Sequence, residues 1–276
     1  MTALVSVDWL QENINNKDLI LLDASLEKTV SGEQSTNNHQ TIPKARYFDL
    51  KGRFSDKTST LPNTFPSQEQ FEHECQKLGI NQNSLIVVFD NRGIYSSPRV
   101  WWMFKTMGHE QVVVLDGGLK AWIQKGLSTE KRVSQTYEPG NFKANLQKAS
   151  VKYFQDIKSN IDNPSFIVVD VRSEGRFNGT ENEPRKHLES GHIPGSINLP
   201  YKSVLTNNQF KPKAELQEQF ETRKLGDQDL VFSCGSGLTA CIVLLASEIA
   251  FKKSRQVYDG SWTEWAEKNN LTKDLG

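Results

Sequence analysis

The sequence contains one pattern written twice, and this repeat constrains the fold more than any local feature. Leu21-Leu22-Asp23-Ala24 is answered by Val168-Val169-Asp170-Val171, and Ile42-Pro43-Lys44-Ala45 by Ile193-Pro194-Gly195-Ser196. Glu69-Gln70-Phe71-Glu72 with Leu78-Gly79 is answered by Glu218-Gln219-Phe220-Glu221 with Leu225-Gly226. Leu115-Asp116-Gly117-Gly118 with Trp122 is answered by Tyr258-Asp259-Gly260-Ser261 with Trp265. The offset between partners drifts only from 151 to 143, a few loop-length changes across a whole domain. The 276 residues therefore read as two copies of one domain, in keeping with roughly 150 residues per domain.

Each copy alternates short β-branched runs with helical patterns, which predicts an α/β fold with a parallel sheet flanked by helices. Residues 84–89, 112–115 and 166–169 are the expected buried strands. Ser67 with Gln70 reads as a capping box before Phe71, Cys75 and Leu78, whose helical spacing makes Cys75 a core residue. The polar stretch 128–148, with Pro139-Gly140 inside it, carries little apolar periodicity. These features predict a first domain over 1–134, a linker over 135–148 and a second domain over 149–276.

Thirty-three basic and 33 acidic residues give no net charge, so nothing in the overall field favours nucleic acid or an anionic membrane. The longest apolar stretch, 240–251, is interrupted by Ser247 and Glu248 and falls short of the roughly 20 residues a bilayer requires. Asp8, Glu12 and Asn13 interrupt the N-terminus before an apolar signal-peptide core develops. Cys75, Cys234 and Cys241 form no C-x-x-C pair, and an odd number argues against a closed disulfide framework, so a reducing cytoplasm is expected. The histidines at 39, 73, 109, 187 and 192 lack zinc-site spacing, so no metal is expected.

The chemistry is expected where the copies differ. After the third strand, copy one reads Val88-Phe89-Asp90-Asn91-Arg92-Gly93, and copy two reads Val231-Phe232-Ser233-Cys234-Gly235-Ser236-Gly237-Leu238-Thr239. A strand, a glycine loop and the apolar helix that starts near Ala240 make an anion-site pattern, with loop amides and the helix dipole both favouring a thiolate. Cys234 is thus either an activated nucleophile or a small buried hydrophobe, and the two glycines favour the nucleophile. Cys241, inside the apolar helix, reads as core. A cysteine phosphatase would need arginine where Ala240 stands, and a nucleotide-binding loop would need Gly-Lys-Ser/Thr.

Cys234-Gly-Ser-Gly-Leu-Thr-Ala240, Gly191-His-Ile-Pro-Gly195 and Asp259-Gly-Ser-Trp-Thr-Glu-Trp265 resemble the signatures of the tandem-domain rhodanese sulfurtransferases. The resemblance implies two rhodanese-like domains, the first non-catalytic and the second carrying a persulfide on Cys234. The loop is similar to that of the 3-mercaptopyruvate branch of the family. That implies a donor carboxylate held by Arg176 and Arg185, whose planar forks suit it, and a sulfur held by Gly235, Ser236, Gly237, Leu238 and Thr239. The branch commonly adds an acid and a histidine that relay a proton to the loop serine; Lys51 and Asn63 stand at those positions here. Asp170 and Arg172 are expected to fix a turn, His192 to satisfy backbone groups, and Trp262 and Trp265 to form wall or core.

The expected activity is transfer of a sulfane sulfur from 3-mercaptopyruvate through Cys234 to cyanide or to a thiol such as thioredoxin or glutathione, without a cofactor. A thiosulfate sulfurtransferase and a persulfide carrier that does not turn over are the alternatives.

Overall fold

The β-branched runs form the central strands of two separate parallel sheets. A computed structural model describes residues 2–35, 37, 39–251 and 256–273. The chain divides into two compact units, one of Met1–Lys57, Phe65–Gln147 and Asn207–Phe210, the other of Thr58–Thr64, Lys148–Thr206 and Lys211–Gly276. The expected endpoint of the second domain, 276, lies outside the described residues.

The first unit contains β1 (Leu4–Val5), β2 (Leu19–Asp23), β3 (Arg46–Tyr47), β4 (Leu85–Phe89) and β5 (Val112–Leu115), in the order β1-β5-β4-β2-β3. The second contains β6 (Val151–Lys152), β7 (Ile167–Asp170), β8 (Ile197–Asn198), β9 (Leu230–Ser233) and β10 (Gln256–Tyr258), in the order β8-β7-β9-β10-β6. Every neighbouring pair is parallel, and the two orders coincide when one is read from its other edge. The expected α/β class with two parallel sheets is the observed one.

Successive strand residues face opposite sides of a sheet, and here both sides are buried. Leu21, Val87, Phe89, Val113 and Leu115 pack with Val7, Leu10, Leu119 and Trp122 from helices Val7–Asn13 and Gly118–Gln124. The alternate set, including Leu22, Val88 and Val114, is also fully buried. In the second unit Val168, Val231 and Tyr258 pack with Ile193, Trp262 and Trp265. The repeat pairs Leu21/Val168, Ile42/Ile193 and Trp122/Trp265 therefore occupy matching places in the two cores. Among the described residues no helix is long and apolar enough to cross a membrane.

Helix Gln68–Lys77 starts where the sequence pattern places it, with Ser67 Oγ accepting the Gln70 amide at 3.1 Å. Gln70 does not complete the expected box. Its side-chain amide donates instead to the carbonyls of Arg53 and Ser55, at 2.8 and 2.9 Å, and so fastens a neighbouring loop. Cys75 is fully buried in this helix, and burial pushes its thiol pKa up.

The polar segment 135–147 is part of the first unit. Amides of Gly140, Phe142, Asn145 and Gln147 donate to the carbonyls of Gln76, Ile80, Met107 and Thr106. Phe142 is fully buried, with its ring edge-on to Phe71 and Phe104 at 5.9 Å in each case. One aromatic anchor therefore ties down a stretch with no apolar periodicity. Phe142→Ala should lower unfolding free energy by about 3 kcal/mol, as read by denaturant titration.

Candidate active site

Strand ends decide which residues of the two copies are equivalent. The Ala24 amide donates to the Phe89 carbonyl at 2.9 Å, and the Val171 amide donates to the Ser233 carbonyl at 2.9 Å. Phe89 and Ser233 are thus counterparts, and Asp90 in the first unit corresponds to Cys234 in the second. The next pair of contacts agrees: the Leu119 amide donates to Asp90 O and the Trp262 amide to Cys234 O, both at 3.0 Å.

In the first unit the loop closes on its own carboxylate. Asp90, fully buried, accepts amides of Tyr95, Ser96 and Ser97 and the Ser97 hydroxyl on Oδ2, at 2.7–3.0 Å, and the Arg92 amide on Oδ1 at 2.9 Å. A built-in anion uses the donors that face the end of the strand.

In the second unit Cys234, 2% exposed, directly follows β9 and leads through residues 235–239 into helix Ala240–Phe251. The loop is pinned from outside by Ser261. Its Oγ accepts the amides of Cys234 and Gly237, at 3.2 and 3.0 Å, and donates to the Tyr258 carbonyl at 2.8 Å. One hydroxyl thereby uses its donor and both acceptor positions. Thr263 adds a second clamp, its amide and hydroxyl donating to Gly235 O at 3.1 and 2.6 Å.

The two glycines have different jobs. Gly237 has φ 74°, the left-handed region that glycine enters freely, whereas Gly235 does not. The amides expected to form the anion nest are also divided: those of Cys234 and Gly237 go to Ser261, leaving the amides of Gly235, Ser236, Leu238 and Thr239 as the loop donors Ser261 does not use. Cys241, fully buried as the second residue of the helix, donates its thiol to Gly237 O at 3.5 Å.

Gly235 makes room for two arginines. A Cβ there would lie 3.1 Å from Arg176 Nη2 and 3.6 Å from Arg185 Nη1. Both residues singled out from the sequence therefore converge on the loop, but their surroundings differ. Arg176, from helix Glu174–Asn178, already holds Glu183 through Nε at 3.0 Å and Nη2 at 2.6 Å. Of the five guanidinium N–H groups, those at the Nη1/Nη2 end remain for another acceptor. Arg185 Nη1 is buried with no hydrogen-bond partner, and burial lowers the pKa of this guanidinium while Cys234 and Glu183 act to raise it.

Glu183, to which the sequence pattern gives no role, is the hub of this cluster. Its buried carboxylate also accepts Arg172 Nη1 at 2.7 Å. Arg172, buried as well, donates from Nε to both oxygens of Asp170 at 3.0 Å, from Nη2 to Asp170 and to the Gly191 carbonyl, and stacks 4.4 Å over the Trp262 ring. Three arginines face two carboxylates, Asp170 and Glu183, leaving one positive charge beside Cys234. Asp170 also fixes its turn by accepting the Arg172 amide at 3.0 Å. His192 stacks on Phe177 and meets the Phe177 carbonyl through Nδ1 at 2.9 Å.

Ser236 is 2% exposed and meets Asn63, which belongs to the second unit through segment Thr58–Thr64. Asn63 Nδ2 donates to Ser236 O at 3.2 Å and to Ser236 Oγ at 3.0 Å. Lys51 falls in the first unit, and nearby Asp49 accepts the Gly52 amide there at 3.0 Å. Among the described residues no three His, Cys, Asp or Glu side chains are grouped so as to hold a metal ion.

The rhodanese-like domain model matches residues 6–125 and again 154–268, one match in each half of the repeat. The chain belongs to the rhodanese family. Human 3-mercaptopyruvate sulfurtransferase is 40% identical over 273 residues, covering 95% of this chain and 91% of the relative. A thiosulfate sulfurtransferase from Cricetulus griseus is 38% identical over 274 residues, covering 95% and 91%. The crystal structure of SseA from Escherichia coli, described as a 3-mercaptopyruvate sulfotransferase, matches with a TM-score of 0.84 at 32% identity, covering 95% of this chain and 99% of that one.

Within this rhodanese, Ser261 is the site residue with the least obvious signal. It sits at φ 51°, where its counterpart Gly118 has φ 52°. Replacing a glycine that occupies the left-handed region by serine costs about 1 kcal/mol, here offset by the three hydrogen bonds of Oγ. Ser261→Ala keeps the strain and loses the bonds, whereas Ser261→Gly loses both. The alanine variant should therefore be about 1 kcal/mol less stable than the glycine variant in denaturant titrations. Both should alkylate Cys234 at a rate different from the parent protein.

Proposed function

We propose that this protein is a sulfurtransferase that takes a sulfane sulfur from 3-mercaptopyruvate onto Cys234 and passes it to a thiol or to cyanide. The observation that carries this reading is the convergence of the Arg176 and Arg185 heads on side-chain-free Gly235, next to the Cys234 loop. The cluster's single excess positive charge complements a donor carboxylate. Arg185 Nη1, buried without an acceptor, and the open end of Arg176 offer a planar fork to its two oxygens.

In the first half-reaction a lone pair of the Cys234 thiolate forms an S–S bond to the donor sulfur. The donor's C–S bond breaks, its electron pair passes to the methylene carbon, and the resulting enolate takes a proton to become pyruvate. The amides of Gly235, Ser236, Leu238 and Thr239, with the positive end of helix Ala240–Phe251 behind them, favour the negative persulfide. In the second half-reaction an acceptor such as a small thiol, a thioredoxin-type protein or cyanide attacks the outer sulfur, and the Cys234 thiolate leaves. No cofactor is needed for either half. Residues 149–276 supply the reacting groups, while Asp90 leaves residues 1–134 without a nucleophile at the matching place. The three free, buried cysteines support a reducing compartment such as the cytoplasm.

Initial rates with 3-mercaptopyruvate and with thiosulfate, against one thiol acceptor, test this reading. Turnover should be ping-pong, faster with mercaptopyruvate, and abolished in Cys234→Ser. A preference for thiosulfate would reassign the donor, and a single stoichiometric transfer without turnover would make the protein a carrier. Arg185→Lys should raise KM for mercaptopyruvate about tenfold with a smaller change in kcat, because an ammonium cannot reproduce the fork.

A further inference from the structure

The two copies also differ at the edge of their sheets. In the first unit a cavity of about 240 Å³ lies beside the start of β2 and the edge strand β3, with Asn15, Asn16, Lys17, Lys44 and Arg46 among its lining. The repeat gives these residues counterparts. Leu22 pairs with Arg46 as Val169 pairs with Ile197, and Ile42-Pro43-Lys44 answers Ile193-Pro194-Gly195. Asn15 and Lys17 precede Leu21 by the same steps by which Asp162 and Pro164 precede Val168. Lys17, Lys44 and Arg46 thus stand where the second copy has proline, glycine and isoleucine, with no cation among them.

Lys44 keeps its place against backbone strain. It lies at φ 68°, as Gly195 does at φ 76°, in the left-handed region that a lysine rarely adopts. Its Nζ donates to Asn15 Oδ1 at 2.5 Å. Arg46 is half-buried, its guanidinium 4.5 Å over the Tyr137 ring and its Nη1 donating to the Leu78 carbonyl. Burial lowers the pKa of this guanidinium, while Tyr137 acts to raise it. Among the described residues, none of the three cations forms an ion pair. Cations also suit the last turn of a helix, and helix Val7–Asn13 ends beside the cavity. That does not account for them, because the corresponding helix Phe154–Asp162 ends on an acid and has no cation at any of the three counterparts.

We infer that this cavity is a binding site for a small phosphate-bearing dianion, either inorganic phosphate or a phosphomonoester. A single carboxylate would leave most of the three positive charges uncompensated. A phosphate group carries about −1.5 to −2 at pH 7 and offers several strong acceptor oxygens. Arg46 supplies a planar fork, and the two lysines supply compact charges on flexible stems. The volume is below the roughly 300–1,000 Å³ of pockets that enclose drug-sized ligands, so the occupant is small. Such a site is independent of the sulfur chemistry assigned above to Cys234.

The neutral groups of the lining are turned the same way. Asn15 spends its side-chain oxygen on Lys44 Nζ, and Asn16 spends its own on the Asp18 amide at 3.0 Å. Both oxygens are fixed by a partner that can only donate, so both side-chain N–H2 groups remain to donate to an anion. Two acids are near, Asp18 in sequence and Glu130, whose Oε1 accepts the Lys44 amide at 3.2 Å, but neither lines the cavity. Ile14 and Leu19 add apolar surface on which the carbon of an ester can rest.

The test is an NMR titration of the full chain, read at individual backbone amides, with inorganic phosphate, glycerol 3-phosphate and phenyl phosphate at pH 7.5. Sodium chloride at matched ionic strength is the control. The phosphates should shift amides within 14–21 and 44–46 along a saturating curve that chloride does not produce. Tighter binding of an ester makes the ligand a phosphomonoester, and equal binding makes it free phosphate. Arg46→Ile, which installs the residue of the second copy, should weaken binding about tenfold. Lys44→Gly should weaken it similarly while raising the urea midpoint of unfolding, because the strain goes with the side chain. Shifts that never saturate, that chloride reproduces, that persist unchanged in both variants, or that fall only at 176, 185 and 234–239 overturn the inference. If Arg46→Ile fails to fold, Lys44→Gly and Lys17→Ala decide the matter by the same readout.

Discussion

The buried guanidinium of Arg172 is the constraint on which the rest of the site depends. It links the end of β7 through Asp170, the loop containing Glu183 and the Gly191 carbonyl, all nearby in sequence, while its face lies on Trp262 from far along the chain. A buried charge with an uncompensated partner is costly, so these groups are tied to one arrangement. Glu183, held by Arg172, then fixes the side of Arg176, and Arg176 in turn presents its remaining edge to Gly235. The direction in which Arg176 points is thus set by two residues behind it, Glu183 and Arg172.

The two copies show how one backbone can be put to different uses by the residue at the end of one strand. A carboxylate at 90 supplies its own negative charge to the surrounding amides and leaves nothing for a ligand to do. A thiol at 234 leaves amides of that loop available, and the pinning by Ser261 replaces the internal anchoring that Asp90 provides in the first unit. The contrast is local, since sheet order and core positions are shared.

The repeat makes the architecture legible in the sequence, because matched apolar positions such as Leu21/Val168 and Trp122/Trp265 must lie on matched faces. Cys234, Arg176 and Arg185 stand out by motif, and they are found together. Glu183 is not legible, because a carboxylate between two arginines looks like a surface charge until burial is known. Asn63 stands out by its place in the family pattern, but the direction of its hydrogen bonds comes only from a contact 173 residues apart in sequence. Ser261 does leave a trace, serine where the first copy has Gly118, yet a residue in the left-handed region cannot be told from an ordinary turn serine by composition. Phe142 is hidden for a different reason: one aromatic in a polar stretch has no periodicity to betray it.

The Gly118 and Ser261 pair also limits how far one copy can be converted into the other. In the first unit a Cβ at 118 would run into the Asp90 carbonyl and lie 2.7 Å from Gly93 O. The closed loop there has no space for the hydroxyl that pins the open one. A thiol placed at 90 would not by itself make a loop of the Cys234 kind, since a serine would also be needed at 118 and the backbone would have to move to admit it. A loop closed on its own carboxylate and a loop pinned by a serine hydroxyl are therefore mutually exclusive builds of one backbone.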